Sequence, residues 1–249
     1  SSRLLFGMNL KNKVALVTGG ARRVGRAIGV ELAGAGAHVV VHYRSSEAEA
    51  RALVDEIEGA GGAASTARAD LRSLNEIQLL VRKVEVEVGY VDVLVNNASE
   101  FFETPLVTAA DDDWDRLLDV NLKAPFRLSR RVAAPMLQRG GGVIVNLADV
   151  WGERALRRHV VYSVSKAGLL MLTKGLAREL APKVRVNAVS PGTVAWPESY
   201  DEEERARLRR RIPLGREGAP EDVARAVRFL CEEEYVTGAV LPVDGGKSL

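Results

Sequence analysis

Short runs rich in valine and alanine alternate with amphipathic stretches along the chain. The runs fall at residues 14–17, 39–42, 63–69, 91–95, 143–147, 184–189 and 240–243. Parallel strands covered by helices on both faces read as continuous apolar segments of this kind. Between them, helical spacing of apolar positions marks 24–35, 46–60, 73–88, 113–138, 160–180 and 220–232. Strand and helix alternate without a linker or repeat. The pattern predicts an α/β fold, a doubly wound parallel sheet of about seven strands with helices on both faces, whose ligands lie beyond the carboxyl ends of the strands. One domain is expected over residues 10–249, with residues 1–9 disordered.

Composition narrows the function class. With 249 residues, 47% of them apolar, the chain is large enough for a sizeable core. Its 35 basic and 33 acidic residues leave a formal charge of +2, which gives no reason to expect a nucleic-acid or anionic-membrane partner. The basic run 207–211 follows acids at 202–204 and reads as a solvated helix. The single cysteine, Cys231, excludes an internal disulfide and a cysteine-based metal cluster, and no metal is expected. No apolar run approaches the roughly 18 residues of a membrane span, the first residues carry no signal-peptide core, and a cytoplasmic location is expected.

The chemistry concentrates in three places. Tyr162 and Lys166, four apart on a helix, share a face, so the ammonium is placed to stabilise a phenolate and make the phenol a proton donor; Asp149 precedes them by thirteen residues. The first strand runs into Thr18-Gly19-Gly20-Ala21-Arg22-Arg23-Val24-Gly25 and then a helix, where free backbone N–H groups cradle a dinucleotide phosphate. The second strand ends His42-Tyr43-Arg44-Ser45-Ser46, with no acid before Glu47. A carboxylate there would accept bonds from the ribose hydroxyls of NADH, whereas Arg44, Arg22 and the serine hydroxyls suit a 2′-phosphate. NADPH is therefore expected over NADH.

These motifs, with Asp70-Leu71, Asn96-Asn97-Ala98, Asn121, Ser190-Pro191-Gly192 and Val243-Asp244-Gly245-Gly246 in order, resemble the short-chain dehydrogenase/reductase family with its Rossmann-type fold. The resemblance implies that Gly19, Val24 and Gly25 form the phosphate turn and that Asp70 and Leu71 hold the adenine edge. Asp70 also suits a helix N-cap. Asn97 and Ala98 would line the adenosine ribose and phosphates, and Pro191, Gly192 and Thr193 would meet the nicotinamide carboxamide and pyrophosphate. Lys166 would bond the nicotinamide ribose, and Asn121 would hold a water on the proton path.

Three positions leave the common family pattern together: Arg23 and Ser99 replace glycines, and Asp149 replaces a serine. Each change is similar to the pteridine reductase and dihydromonapterin reductase branch, as are Asn96 to Phe102 and the stretch from Asp149 to Lys166. An ionised Asp would repel an oxygen becoming alkoxide, so the residue suits a substrate that takes a proton at a ring nitrogen. Either burial raises its pKa and it carries that proton, or it stays ionised and orients a water or pterin amino group. Phe101 would stack on the flat ring, and Arg23 and Ser99 would reach substrate or cofactor phosphates. An acidic, aromatic stretch at 194–212, with Trp196 against the substrate and Tyr200 nearby, reads as a lid.

The expected reaction is NADPH-dependent reduction of a pterin or folate ring, with Tyr162 or Asp149 delivering the proton. A carbonyl reductase of the 3-oxoacyl thioester type is the alternative, against which Asp149 and Phe101 argue. A non-catalytic NADPH-binding sensor is the other, against which the paired Tyr162 and Lys166 argue. The small residues Ser163, Ser165, Ala167 and Gly168, with the helix around 117–132, resemble the family's dimer-forming face and imply a homotetramer.

Overall fold

The computed structural model describes residues 8–194 and 201–249, so residues 1–7, Trp196 and Tyr200 lie outside the described residues. The elements are β1 (Val14–Val17), α1 (Arg23–Gly34), β2 (His38–Tyr43), α2 (Glu47–Gly59), β3 (Ala63–Arg68), α3 (Leu74–Glu87), β4 (Val93–Asn96), α4 (Asp111–Leu118), α5 (Ala124–Arg139), β5 (Gly142–Leu147), α6 (Val160–Leu180), β6 (Val184–Pro191), α7 (Glu202–Arg209), α8 (Pro220–Glu232) and β7 (Val240–Val243).

All seven strands join one parallel sheet in the order β3-β2-β1-β4-β5-β6-β7. Although the strands are almost wholly apolar, alternate residues still enter different cores. Val17, Val41, Val95 and Val145 pack under α1, α2 and α8, whereas Leu16, Val40, Leu94 and Ile144 pack under α3, α5 and α6. Burying each of these side chains contributes about 1.5–3 kcal/mol. The strand order reverses between β1 and β4, which opens a crevice beyond their carboxyl ends.

The stretch predicted as one helix over 113–138 is α4 and α5 joined by a π-helical turn, Asp119–Lys123. Pro125 explains the break. It has no N–H to offer the carbonyl four residues back, that of Asn121, and its ring crowds that carbonyl. The backbone widens instead, with Ala124 N bonding Asp119 O. Asn121 thus sits on a widened turn, fully buried.

Of the small residues on α6, Ala167 is exposed and Ser163 half-buried. Ser165 is buried, and Gly168 packs internally, where a Cβ would lie 2.8 Å from Leu122. The large apolar groups that α4, α5 and α6 leave exposed are Trp114, Phe126, Val160, Val164 and Met171. Among the described residues no helix is long and apolar enough to cross a membrane.

Candidate active site

The glycine turn is built by close approach. Gly19 has φ +59°, where a side chain is strained, and a Cβ on it would lie 3.0 Å from Ala98 Cα. A Cβ on Gly25 would lie 2.2 Å from Gly19 O. Asn97 braces this turn, since its Nδ2 donates to Thr18 O at 2.9 Å and Gly19 O at 3.0 Å. Thr18 reciprocates, its Oγ1 accepting from the N–H groups of Asn97 and Ala98. Arg23, at φ +49°, holds a left-handed conformation that glycine adopts more easily, and its side chain is exposed on the rim.

His42 lines the cavity beside this turn, with both ring nitrogens engaged within the protein. It is buried, its Nδ1 accepts from Gly19 N–H at 3.1 Å, and its Nε2 lies 3.1 Å from Ala69 O. A carbonyl only accepts, so Nε2 carries the proton and the ring is neutral. Burial pushes its pKa down to about 4. The Gly19 N–H is therefore occupied, which leaves the amides at the start of α1, without intrahelical acceptors, as the ones suited to an anion.

A cavity of about 400 Å3 opens beside the turn, lined among others by Gly19, Arg22, Arg44, Asp70, Asn97 and Glu100. Arg23, Val24, Gly25, His42, Tyr43, Ser45, Ser46, Leu71, Ala98 and Ser99 of the predicted set also line it. The hydroxyl of Ser46 does not cap α2. Both cations expected at a 2′-phosphate are ion-paired: Arg22 with Glu49, and Arg44 with Glu100 at 2.8 Å. Glu100 also pairs with Arg116. Asp70 does not cap a helix, because Ser73 caps α3 and Asp70 chelates Arg72, which holds its carboxyl down to about 2.

Asp149 follows β5, and Tyr162 and Lys166 face it from α6. The Tyr162 hydroxyl donates to Asp149 Oδ2 at 2.8 Å, and Trp151 N–H donates to Asp149 Oδ1 at 2.9 Å. Burial raises the pKa of Asp149, outweighing the Trp151 N–H and Lys166. Burial and the Asp149 charge push the Tyr162 phenol well above its ordinary value. That reverses the expectation of a phenol made acidic by Lys166. The ammonium is aimed elsewhere: Lys166 Nζ donates to Leu147 O at 2.8 Å, and burial lowers its pKa to about 8.

The Asn121 side chain is fully engaged within the protein. Its Oδ1 accepts from Glu100 N–H and Ser99 Oγ, and its Nδ2 donates to Glu100 O and Ser165 Oγ. It ties the loop after β4 to α6. Phe101 stands at the mouth with its ring edge-on to Tyr162 at 4.8 Å, but one face already stacks on His159 at 4.5 Å. Pro191 ends β6, and Gly192 N–H donates to Val243 O at 3.0 Å. Thr193 Oγ1 accepts from Lys247 Nζ at 2.6 Å.

Glu100 and Lys247 escaped sequence reasoning. Each lay inside a recognised motif or beside one, but only the fold brings Glu100 to Arg44 and Lys247 to Thr193. Room between glycines, free helix-start amides and arginines on the rim fit a phosphorylated dinucleotide.

A family model described as enoyl-(acyl carrier protein) reductase matches residues 19–248. The 3-oxoacyl-[acyl-carrier-protein] reductase FabG of Thermotoga maritima is 39% identical over 244 residues, 96% of this chain and 99% of the relative. A blue fluorescent protein from a metagenomic library, solved in complex with NADPH, superposes with a TM-score of 0.90 at 38% identity, over 97% of this chain and 100% of that one. FolM alternative dihydrofolate reductase 1 from Brucella canis, complexed with NADP, has a TM-score of 0.90 at 34% identity, over 96% and 95% of the two chains. These relatives span more than one substrate class and do not single out the pteridine reductase branch. Agreement over nearly the whole chain, in fold and in sequence, makes this protein a member of the short-chain dehydrogenase/reductase family of NADP-dependent oxidoreductases.

Proposed function

We propose that this protein reduces the ring of a dihydropterin or dihydrofolate with NADPH. The observation that carries the reading is a carboxylate, Asp149, hydrogen-bonded at 2.8 Å to the hydroxyl of Tyr162. A carbonyl reduced beside Tyr162 becomes an alkoxide, and a carboxylate next to it opposes that charge. A ring C=N asks the opposite of the site, namely a proton at nitrogen. The structure of the Brucella canis dihydrofolate reductase relative supports the same substrate class.

NADPH supplies the hydride to the ring carbon. Arg22, Arg23 and Arg44 provide the positive rim for its 2′-phosphate, with Gly19, Gly25, Asn97 and Ala98 shaping the turn beneath. The proton comes from the Asp149–Tyr162 pair. A phenolate 2.8 Å from an ionised carboxylate is strongly disfavoured, so the pair gives up its proton from the state in which Asp149 is protonated. As Tyr162 donates to the ring nitrogen, Asp149 returns a proton to the phenol oxygen and ends ionised. Lys166, cationic below about pH 8, stabilises that carboxylate. Phe101 offers the ring an apolar wall beside Tyr162, exchanging its stack on His159 for one on the heterocycle.

A homotetramer accompanies this reading, its helical faces meeting through Phe126, Val164 and Met171. A second reading, reduction of a 3-oxoacyl thioester, is favoured by the Thermotoga maritima relative. NADPH oxidation followed with dihydrobiopterin, dihydrofolate and an acetoacetyl thioester distinguishes them. Turnover of the thioester alone would overturn the pterin reading.

A further inference from the structure

The end of β2 lacks an acid, but the fold brings a carboxylate from elsewhere to the same cavity wall. Glu100, in the loop after β4, takes one guanidinium on each oxygen: Arg44 Nη1 donates to Oε1 at 2.8 Å, and Arg116 Nε, from α4, donates to Oε2. Its backbone is pinned, because Asn121 holds the Glu100 N–H at 2.8 Å and the Glu100 carbonyl at 2.9 Å. The Glu100 side chain is 11% exposed, whereas those of Arg44 and Arg116 are 48% and 50% exposed. Glu100 and Arg44 line one cavity with Ser45 and Ser46. The cation expected at a 2′-phosphate is therefore held by a carboxylate that stays in place.

We infer that Glu100 is a specificity-determining residue: its fixed carboxylate competes with the 2′-phosphate of NADPH for Arg44 and so tempers the preference of the site for NADPH over NADH. The inference rests on Arg44 being the cation that meets that phosphate. A phosphate brings about two negative charges towards a carboxylate shielded from water, so an Arg44 turned to the phosphate loosens its hold on Glu100. Arg116 permits the exchange. Its guanidinium lies 4.8 Å from the centre of the Phe102 ring and remains on Oε2, so Glu100 keeps a partner where an unpaired, shielded charge would be costly. NADH has no 2′-phosphate and does not draw on Arg44. Opposite signs follow for the two partners of the network. Removing the Glu100 charge releases Arg44 to the phosphate, and removing Arg116 throws the carboxylate back on Arg44, which it then holds harder.

The test is calorimetric titration of the full chain with NADPH and with NADH. Glu100→Gln keeps the shape of the side chain and should tighten NADPH binding by about fivefold, whereas Arg116→Gln should weaken it by a similar factor. Neither should move NADH binding, and Arg116→Gln should lose its effect once Glu100→Gln is present. Unchanged or weaker NADPH binding in Glu100→Gln overturns the inference. So does an equal gain for NADH, or a shift of the same sign in both single variants, which would mark a purely structural effect. Should Glu100→Gln fail to fold, Arg116→Gln carries the test, and unchanged NADPH binding there overturns the inference. Arg44→Ala separates the two readings. If it leaves NADPH binding as it was, the 2′-phosphate reading fails and this inference with it; a loss in Arg44→Ala without a gain in Glu100→Gln overturns this inference alone.

Discussion

The Tyr162 hydroxyl donates to Asp149 Oδ2 across 2.8 Å, so the phenol and the carboxyl share one proton inventory. Asp149→Ser is expected to lower kcat for dihydropterin reduction by about 10²–10⁴-fold, with NADPH affinity nearly unchanged. Steady-state rates and a fluorescence titration check both. Activity within a few fold of the parent would remove Asp149 from proton delivery.

Arg44 sets cofactor preference under the same reading. It pairs with Glu100 at 2.8 Å on the cavity wall and is half exposed, ready to meet a 2′-phosphate. Arg44→Ala should weaken NADPH binding about tenfold or more, the worth of a charge-assisted hydrogen bond, and leave NADH binding unaltered. Calorimetric titration with both cofactors measures the difference, and equal losses for the two would contradict it.

His42 makes stability fall in acid. Its folded-state pKa of about 4 lies below the ordinary 6.5, so the unfolded chain takes up the proton first as the pH drops. Stability from this group is complete above about pH 6.5 and declines by about 3 kcal/mol as the pH falls to about 4. Asp149 contributes with the opposite sign, because its folded-state pKa is raised. Urea unfolding of the parent and His42→Asn at pH 7.5 and 4.5 isolates the histidine. A parent slope that the variant retains would rule it out.

Gly25 tests the turn. A Cβ there would lie 2.2 Å from Gly19 O, a backbone atom, and 2.6 Å from Asn97 Nδ2, which is bonded to Thr18 O and Gly19 O. Gly25→Ala should destabilise the fold by about 1–3 kcal/mol and weaken binding of both dinucleotides. Gly34→Ala, at the end of the same helix and with nothing within 4 Å of the new carbon, serves as the control. Thermal unfolding that treats the two variants alike would count against the close approach.

The periodicity of the chain determined the sheet, because a strand buried on both faces has to be apolar throughout. It therefore predicted β1 and β7 to the residue and the others to within two. Local spacing likewise brought Tyr162 and Lys166 onto one face of α6. The sequence also contained Pro125, but that it widens the helix into a π-helical turn, with Ala124 N bonding Asp119 O, rather than ending it, appears only in the fold. Only the folded chain settled the electrostatics. His42 reads as a titratable group until burial commits its two nitrogens to Gly19 and Ala69 and leaves it neutral. Arg44 reads as free until Glu100, fifty-six residues on, meets it. Desolvation and long-range charge depend on distances in space, which is why the direction of the Tyr162 shift and the place of Lys247 beside Trp151 belonged to the tertiary structure alone.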